Sequence, residues 1–224
     1  MGNTRMKRTV LILSILCSIY LFHGCAFWLQ TGEEKTPREL ALEGRERLNR
    51  KDYRGALESF QKLKDWYPFS KYAILAELKI GDAHYFRKEY EDAILAYEEF
   101  ENLHPRNEAI PYVIYQIGMC YFKRLRSIDR DQTMAQNALK VFQKLIRKYP
   151  DTIYARKAQN HINICIKNLA EHEFYVGVFY YKSKHYKAAL ERFKTVVCEY
   201  PDTGVHHKAL RYIALCKLKL NSNQ

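Results

Sequence analysis

The stretch KYPDTIYARKA at residues 148–158 returns as EYPDTGVHHKA at residues 199–209. In both, the proline follows an alanine, an aromatic residue and an aliphatic residue that stand 12, 8 and 5 positions earlier. Two further stretches share this spacing. The four sets are Ala56, Phe60, Leu63 and Pro68; Ala93, Tyr97, Phe100 and Pro105; Ala138, Phe142, Leu145 and Pro150; and Ala189, Phe193, Val196 and Pro201. A spacing that recurs four times indicates an internal repeat.

A glycine completes each unit of the repeat. Gly44, Gly81 and Gly177 stand 12 residues before their alanines, whereas Gly118 stands 20 residues before Ala138, so the third unit carries an insertion of eight residues. The spacing within each set follows one face of a helix, and the proline ends that helix. Each unit therefore predicts two helices joined by a turn, a pattern that resembles the tetratricopeptide repeat. The resemblance implies an all-α fold, stacked into a right-handed superhelix with a concave face.

The first 24 residues predict a lipoprotein signal peptide. Basic residues precede an apolar run over 9–22, which is too short to span a membrane comfortably. The run ends in LFHGC, which resembles the lipobox of bacterial lipoproteins and implies acylation of Cys25, although His23 is unusual there. An uncleaved anchor and an ordinary secretory signal are the alternatives. Ala26 follows the cysteine, and by analogy with lipoproteins this favours the outer membrane.

The rest of the chain divides into three parts. They are a lipid-anchored tether over 25–36, repeats 1 to 3 over 37–150, and a long helix, repeat 4 and a C-terminal capping helix over 151–220. We expect the long helix over 154–184 to join two subdomains, with a break near Asn168 as the alternative. The insertion RLRSIDRDQ at 124–132 predicts a charged loop between two helices.

No catalytic residue, metal site or cofactor is predicted. The eight histidines are scattered, and the phosphate-loop, zinc and nucleophile motifs are absent from the sequence. Four cysteines beyond Cys25 lie in apolar helical contexts and are interpreted as buried thiols, with a Cys198–Cys216 disulfide as the alternative. These cysteines are Cys120, Cys165, Cys198 and Cys216.

The charge balance points to an acidic partner. The chain has 37 Lys and Arg against 25 Asp and Glu, a net charge of +12. Because a secreted, lipid-anchored protein seldom meets nucleic acid, we expect acidic headgroups or carboxylate-bearing proteins as partners and no nucleic acid.

The first helix of each repeat is expected to line the concave groove. Counting from each glycine places these residues there: Arg38, Ala41, Arg45, Leu48 and Asn49; Leu75, Leu78, Asp82, Tyr85 and Phe86; and Tyr112, Tyr115, Met119, Phe122 and Lys123. An aromatic groove with basic edges would suit a peptide with aromatic side chains and a free carboxylate, which Arg38 or Arg45 could pair with. In the alternative interpretation, about half of these rings pack against neighbouring helices instead.

Three longer stretches resemble the BamD family of lipoproteins, which belong to the β-barrel assembly machine of the outer membrane. They are WYPFSKYAILAELKIGDAHYFRKEYEDAILAYEEFENLHP from residue 66, SIDRDQTMAQNALKVFQKLIRKYPDT from residue 127, and LAEHEFYVGVFYYKSKHYKAALERFKTVVCEYPDT from residue 169. The resemblance implies a non-enzymatic scaffold, anchored by lipid on the periplasmic face of the outer membrane. Its implied partners are the POTRA domains of the insertase BamA, unfolded outer-membrane proteins and other lipoproteins of the same complex. Another periplasmic repeat lipoprotein, for pilus assembly or peptidoglycan coordination, is the alternative.

The resemblance also implies roles for particular residues. Arg192 in LERFK matches the family's insertase-contacting arginine. Tyr67, Phe69 and Tyr72 match aromatic residues of the family's peptide-binding pocket. The chain departs from longer members of the family because it stops one helix earlier and has a shorter insertion in the third repeat.

Overall fold

The computed structural model describes residues 34–222. Within that range the chain folds into nine α-helices and contains no strand. The helices are α1 Pro37–Asn49, α2 Tyr53–Trp66, α3 Ala73–Phe86, α4 Tyr90–Leu103, α5 Ile110–Phe122, α6 Thr133–Lys148, α7 Ile153–Lys182, α8 Tyr186–Glu199 and α9 His206–Asn221. None of these helices is both long and apolar enough to serve as a membrane span. The predicted signal peptide and Cys25 lie outside the described residues.

Each pair of helices packs a glycine of the first helix against an aromatic ring of the second. A Cβ atom at Gly81 would lie 2.6 Å from the Tyr97 ring, and one at Gly44 would lie 2.7 Å from the Phe60 ring. Since real Cβ atoms do not approach that closely, only glycine allows the two helices to pack at this distance. The predicted all-α tetratricopeptide fold is confirmed.

The ends of the helices follow local sequence signals. Thr36 and Glu39 form a capping box at the start of α1: the Thr36 hydroxyl accepts from the Glu39 amide at 3.3 Å, and the Glu39 carboxylate accepts from the Thr36 amide at 2.8 Å. The turns inside repeats 1, 2 and 4 each place a lysine in the left-handed region, with φ between 61° and 64°. These residues are Lys51, Lys88 and Lys184. The repeat therefore uses one turn geometry three times.

Three hydrophobic clusters run along the chain. The N-terminal cluster holds Leu40, Ala41, Ala56, Phe60, Leu63, Ala76 and Ile80. The middle cluster holds Ala93, Ile94, Tyr97, Phe100, Ile110, Val113, Ile114, Ile117, Met119, Cys120, Ala138, Phe142, Leu145, Ala158, Ile162 and Cys165. The C-terminal cluster holds Ala170, Ala189, Phe193, Val196, Val205, Ala209 and Cys216. The N-terminal and C-terminal clusters each join one repeat to the helix that follows it. The middle cluster joins the second helix of repeat 2, both helices of repeat 3 and the first half of α7, as expected of stacked repeats.

The long helix α7 is unbroken over its 30 residues, including Asn168. Its first half contributes Ile162 and Cys165 to the middle cluster, and its second half packs Gly177 against Phe193 of α8. One helix thus belongs to two successive packing units.

The insertion of the third repeat docks on the centre of α7. The Asn168 side-chain amide donates to the carbonyl oxygen of Arg126 at 3.2 Å, and the His172 ring donates to that of Ile128, with the nitrogen 2.6 Å from the oxygen. The predicted charged loop is therefore a brace against the long helix.

The prediction that all four cysteines are buried is wrong for Cys198, which is exposed on α8, whereas the other three are buried. All four are free thiols, so the alternative of a Cys198–Cys216 disulfide is not supported. Position 198 follows the buried Val196 by two residues, and that spacing turns a helical side chain away from the core.

Candidate functional site

The predicted groove residues of α5 pack against the first half of α7. The ring centroids of Tyr112 and Tyr115 lie 5.5 Å and 5.7 Å from that of Tyr154. Phe122 lies 4.5 Å from the His161 ring. These α5 rings are half-buried, so each keeps one side open. The predicted groove did not include α7. The sequence contained a signal for it, because α7 follows the repeat proline Pro150 in the same way that α3 and α5 follow the two earlier repeat prolines.

The end of α3 exposes more apolar surface. Phe86 stacks on Tyr53 with centroids 5.2 Å apart and remains 47% exposed. Tyr85 is half-buried between Phe86 and Tyr90, and burial raises the pKa of Tyr85 to about 12. Leu75, on the same helix, is also exposed. A ligand crossing α3 would therefore meet Phe86 and Leu75 first.

Met119 does not line an open groove. It is only 8% exposed and belongs to the middle cluster, so its assignment to the groove is corrected. Position counting assigned it to the concave side, but its side chain packs in the cluster that α5 shares with α4, α6 and the first half of α7.

Asp82, which position counting also assigned to the groove, is the centre of a buried polar network. The residue is 3% exposed. The carboxylate accepts hydrogen bonds from the hydroxyls of Tyr97 at 2.7 Å and Tyr112 at 2.6 Å, and from Lys79 Nζ at 2.7 Å. The Gln116 side-chain amide donates to the Tyr112 hydroxyl at 3.2 Å. The network joins α3, α4 and α5, and it holds Tyr112 in place rather than leaving it free for a ligand.

The network explains an irregularity of the repeat. Tyr97 occupies the position that is phenylalanine in the other three units, and its ring packs on Gly81 in the same way. Burial raises the pKa of Tyr97 and of Tyr112 well above the usual range, and the charge of Asp82 adds to this. Both hydroxyls therefore stay protonated and remain hydrogen-bond donors to the carboxylate.

A lysine of α7 lies over one ring of the α5–α7 surface: Lys157 Nζ is 6.0 Å from the centroid of the Tyr154 ring. The Tyr115 hydroxyl shares a hydrogen bond of 3.1 Å with Nε2 of His161. Burial lowers the pKa of His161, and the nearby Lys123 lowers it further, so the ring is neutral at neutral pH. Lys123 is exposed beside these rings. The surface therefore combines half-open rings with two cations, Lys123 and Lys157.

The predicted aromatic residues before α3 lie in a different part of the molecule. Tyr67 and Tyr72 pack on the N-terminal cluster, whereas Tyr85 and the α5 rings pack on the middle cluster. The Tyr67 hydroxyl donates to the carbonyl oxygen of Lys35 at 3.0 Å. Phe69 is fully exposed, and Arg38 and Arg45 are exposed on α1. The predicted site therefore divides into two surfaces.

Arg192 is held by an ion pair within the chain. Its Nη1 lies 3.1 Å and 3.0 Å from the two carboxylate oxygens of Glu173. The arginine side chain is 43% exposed, and that of Glu173 is 18% exposed. A carboxylate of another protein could reach the open side of this guanidinium.

One group of potential metal ligands occurs among the described residues. The ligand atoms of His84, Glu89 and Asp92 lie within 4.8 Å of one another. His84 Nδ1 is already hydrogen-bonded to Glu89 at 2.9 Å, and Arg87 pairs with the same carboxylate at 2.7 Å. His84 and Glu89 therefore pair with each other, and the arginine beside them disfavours a cation.

Comparison with known proteins gives consistent matches. The family model YfiO, described as an outer membrane lipoprotein, matches residues 33–224. Two proteins named outer membrane protein assembly factor BamD are 30% identical to this chain: the Caulobacter vibrioides protein, over 86% of this chain and 63% of its own length, and the Rickettsia prowazekii protein, over 88% and 79%. The chain thus spans less than two thirds of the Caulobacter protein. The solved structure of the TPR2AB domain of yeast Sti1 in complex with pHSP90 aligns with a TM-score of 0.47 and 16% identity, over 83% of this chain and 71% of that one.

Proposed function

This chain belongs to the YfiO family of outer membrane lipoproteins, and from that premise we propose that it is a non-enzymatic assembly factor for outer membrane proteins. The observation that carries the proposal is the family match, which covers all the described residues. The helical-repeat fold supports it, because stacked helix pairs present extended surfaces to protein partners. The proposal includes acylation of Cys25, which would hold the chain on the periplasmic face of the outer membrane.

The surface proposed to receive an unfolded barrel protein is the ring face, formed by α3, α5 and the first half of α7. Its residues are Leu75, Tyr85, Phe86, Tyr115, Phe122, Tyr154 and His161. Half-open rings suit a segment with aromatic side chains, because aromatic pairs gain contact area with little loss of side-chain freedom. Lys123 at its edge, and Arg38 and Arg45 on α1, are cations available to the carboxylate that ends such a segment.

Removing the exposed apolar side chains of the ring face should weaken peptide binding. We expect Leu75→Ser with Phe86→Ser to raise the Kd for a synthetic C-terminal peptide of a barrel protein by about tenfold or more. An aromatic side chain that becomes buried when the peptide binds contributes about 1–2 kcal/mol to the binding free energy. Fluorescence anisotropy of the labelled peptide measures this.

The matched control carries Leu95→Ser with Leu103→Ser, two exposed leucines of α4 outside the ring face. Equal Kd values for the two double variants would show that the ring face is not the receptor.

A second contact is proposed at Arg192. There a carboxylate of a BamA POTRA domain would share the guanidinium with Glu173, because one arginine can serve two carboxylates. Arg192→Glu places two carboxylates together, so we expect it to abolish co-purification of BamA from solubilised membranes while the helical circular dichroism stays unchanged. Lys194→Glu, on the same helix and exposed, is the control. Recovery of pilus or cell-wall proteins without BamA would instead support a different adaptor function.

A further inference from the structure

The turn between α2 and α3 carries two exposed aromatic side chains that the repeat itself does not require. Trp66 is 54% exposed and Phe69 is fully exposed. Trp66 stands two residues before the repeat proline and Phe69 one residue after it. The other three repeats have Leu103, Lys148 and Glu199 at the first position, and Arg106, Asp151 and Asp202 at the second. Because charged residues serve at the second position in the other turns, packing of the repeat does not explain Phe69.

Two lysines lie over aromatic rings of this segment, one over Trp66 and one over Tyr72. Lys62 Nζ lies 5.7 Å from the centroid of the Trp66 ring, and Lys71 Nζ lies 5.3 Å from that of Tyr72. Neither lysine forms an ion pair within residues 34–222. The one exposed acid on this stretch, Asp65, accepts a hydrogen bond from Gln61. Residues 62–72 therefore combine apolar rings with three lysines against one aspartate. The acids Glu34, Glu43 and Glu58 line the cavity beside Lys62 and Trp66, so the excess of positive charge lies on the side of the turn that carries Lys71.

The turn also lies where the tether joins the folded part of the chain. The hydrogen bond of 3.0 Å from the Tyr67 hydroxyl to the carbonyl oxygen of Lys35 fixes the end of the tether beside Trp66 and Phe69. Lys35 lies only ten positions after Cys25. At about 3.5 Å per residue, they reach at most about 35 Å. An acyl chain on Cys25 would therefore keep this turn within about 35 Å of the bilayer surface, a distance from which it can reach the headgroups.

We propose that Trp66 and Phe69 enter the interfacial layer of the bilayer, with Lys62 and Lys71 against anionic headgroups. Aromatic side chains favour that layer, and lysines near an anionic surface are attracted to it. The inference rests on the lipid anchor of the proposed function. It adds a second attachment point, which would restrict rotation of the helical repeats about the tether.

Full exposure of Phe69 favours a bilayer over a peptide as the partner. A pocket for a peptide side chain needs protein walls around it, and a fully exposed ring contributes no such wall. A fluid bilayer needs only a protruding ring.

Tryptophan fluorescence of the complete lipidated chain in vesicles tests the proposal. The chain has two tryptophans, so Trp28→Phe leaves Trp66 as the single emitter. In vesicles of phosphatidylethanolamine and phosphatidylglycerol, we expect its emission to shift to the blue and to be quenched by lipids that carry a shallow spin label. Phe69→Asp should reduce this quenching without affecting folding, because aspartate stands at the equivalent position in repeats 3 and 4. Lys62→Glu should reduce it further.

Vesicle flotation separates the possible outcomes. If the chain floats with the vesicles but Trp66 stays unquenched by lipid and accessible to iodide, the membrane contact is refuted while the lipid anchor stands. If the chain does not float, the anchor of the proposed function fails as well. If Trp66 becomes protected only when a barrel-derived peptide is added, the turn is a peptide site and the inference is overturned.

Discussion

Phe142→Ala is expected to lower the free energy of unfolding by about 3–5 kcal/mol, the usual cost of removing a buried phenylalanine ring. Phe142 is fully buried in the middle cluster. Its ring lies 5.9 Å from that of Tyr115 and 5.4 Å from that of His161. Because Gly118 allows α5 to approach this ring closely, the cavity left by alanine opens between two helices that cannot readily close on it. Urea unfolding followed by circular dichroism measures the loss.

A matched control shows whether burial is the cause. Phe179→Ala removes a ring that is 60% exposed on α7, and we expect a change below about 0.5 kcal/mol. Phe142→Ala should also weaken peptide binding, because Tyr115 and Phe122 lose the ring that supports them. Equal stabilities of the two variants would contradict the assignment of Phe142 to the core.

Asp82→Ala is expected to destabilise the fold by about 3 kcal/mol. The substitution leaves the buried hydroxyls of Tyr97 and Tyr112 without their acceptor, and each unpaired buried group costs about 1–3 kcal/mol. Lys79 is partly exposed and can turn to solvent, so it adds less. The same urea experiment measures the effect, and Asp151→Ala, at an exposed turn position, is the control.

A double-mutant cycle tests whether the network acts as a unit. Tyr97→Phe removes one donor and keeps the ring on Gly81, so we expect it to cost less than Asp82→Ala. The two changes together should cost less than their sum, because they remove the same hydrogen bond. Additive effects would mean that the bond between Asp82 and Tyr97 contributes nothing to stability.

The repeat frame was predictable because its physical requirement is local and strict. A glycine that packs against an aromatic ring and a proline that ends the second helix allow few other arrangements of the two helices of a repeat. The same frame predicted the continuous long helix, since residues 154–184 hold no proline and a single glycine. The sequence also contained a signal for the buried network that position counting did not use. Tyr97 stands where the other three units have phenylalanine, and an aspartate, Asp82, follows the glycine of the same unit.

The site was less predictable, because position counting assigns a residue to a face but does not identify what covers that face. Met119 and Asp82 were assigned to an open groove, and both are buried. Tyr154 and His161 were missed because the first half of α7 was not recognised as the next helix on the concave side. The presence of half-buried rings on α5 agrees with the alternative that about half of them pack against neighbours.

The unbroken α7 has a mechanical consequence. Thirty residues at about 1.5 Å each make a lever about 45 Å long, stiffened near its midpoint by the hydrogen bonds from Asn168 and His172. A tilt of about 5° at one end of such a rod displaces the other end by about 4 Å, which is roughly three quarters of the pitch of one helical turn. Arg192 of α8 is paired with Glu173 of α7. A force applied at Arg192 would therefore move the end of α7 that carries Tyr154, because the helix is unbroken between Tyr154 and Glu173.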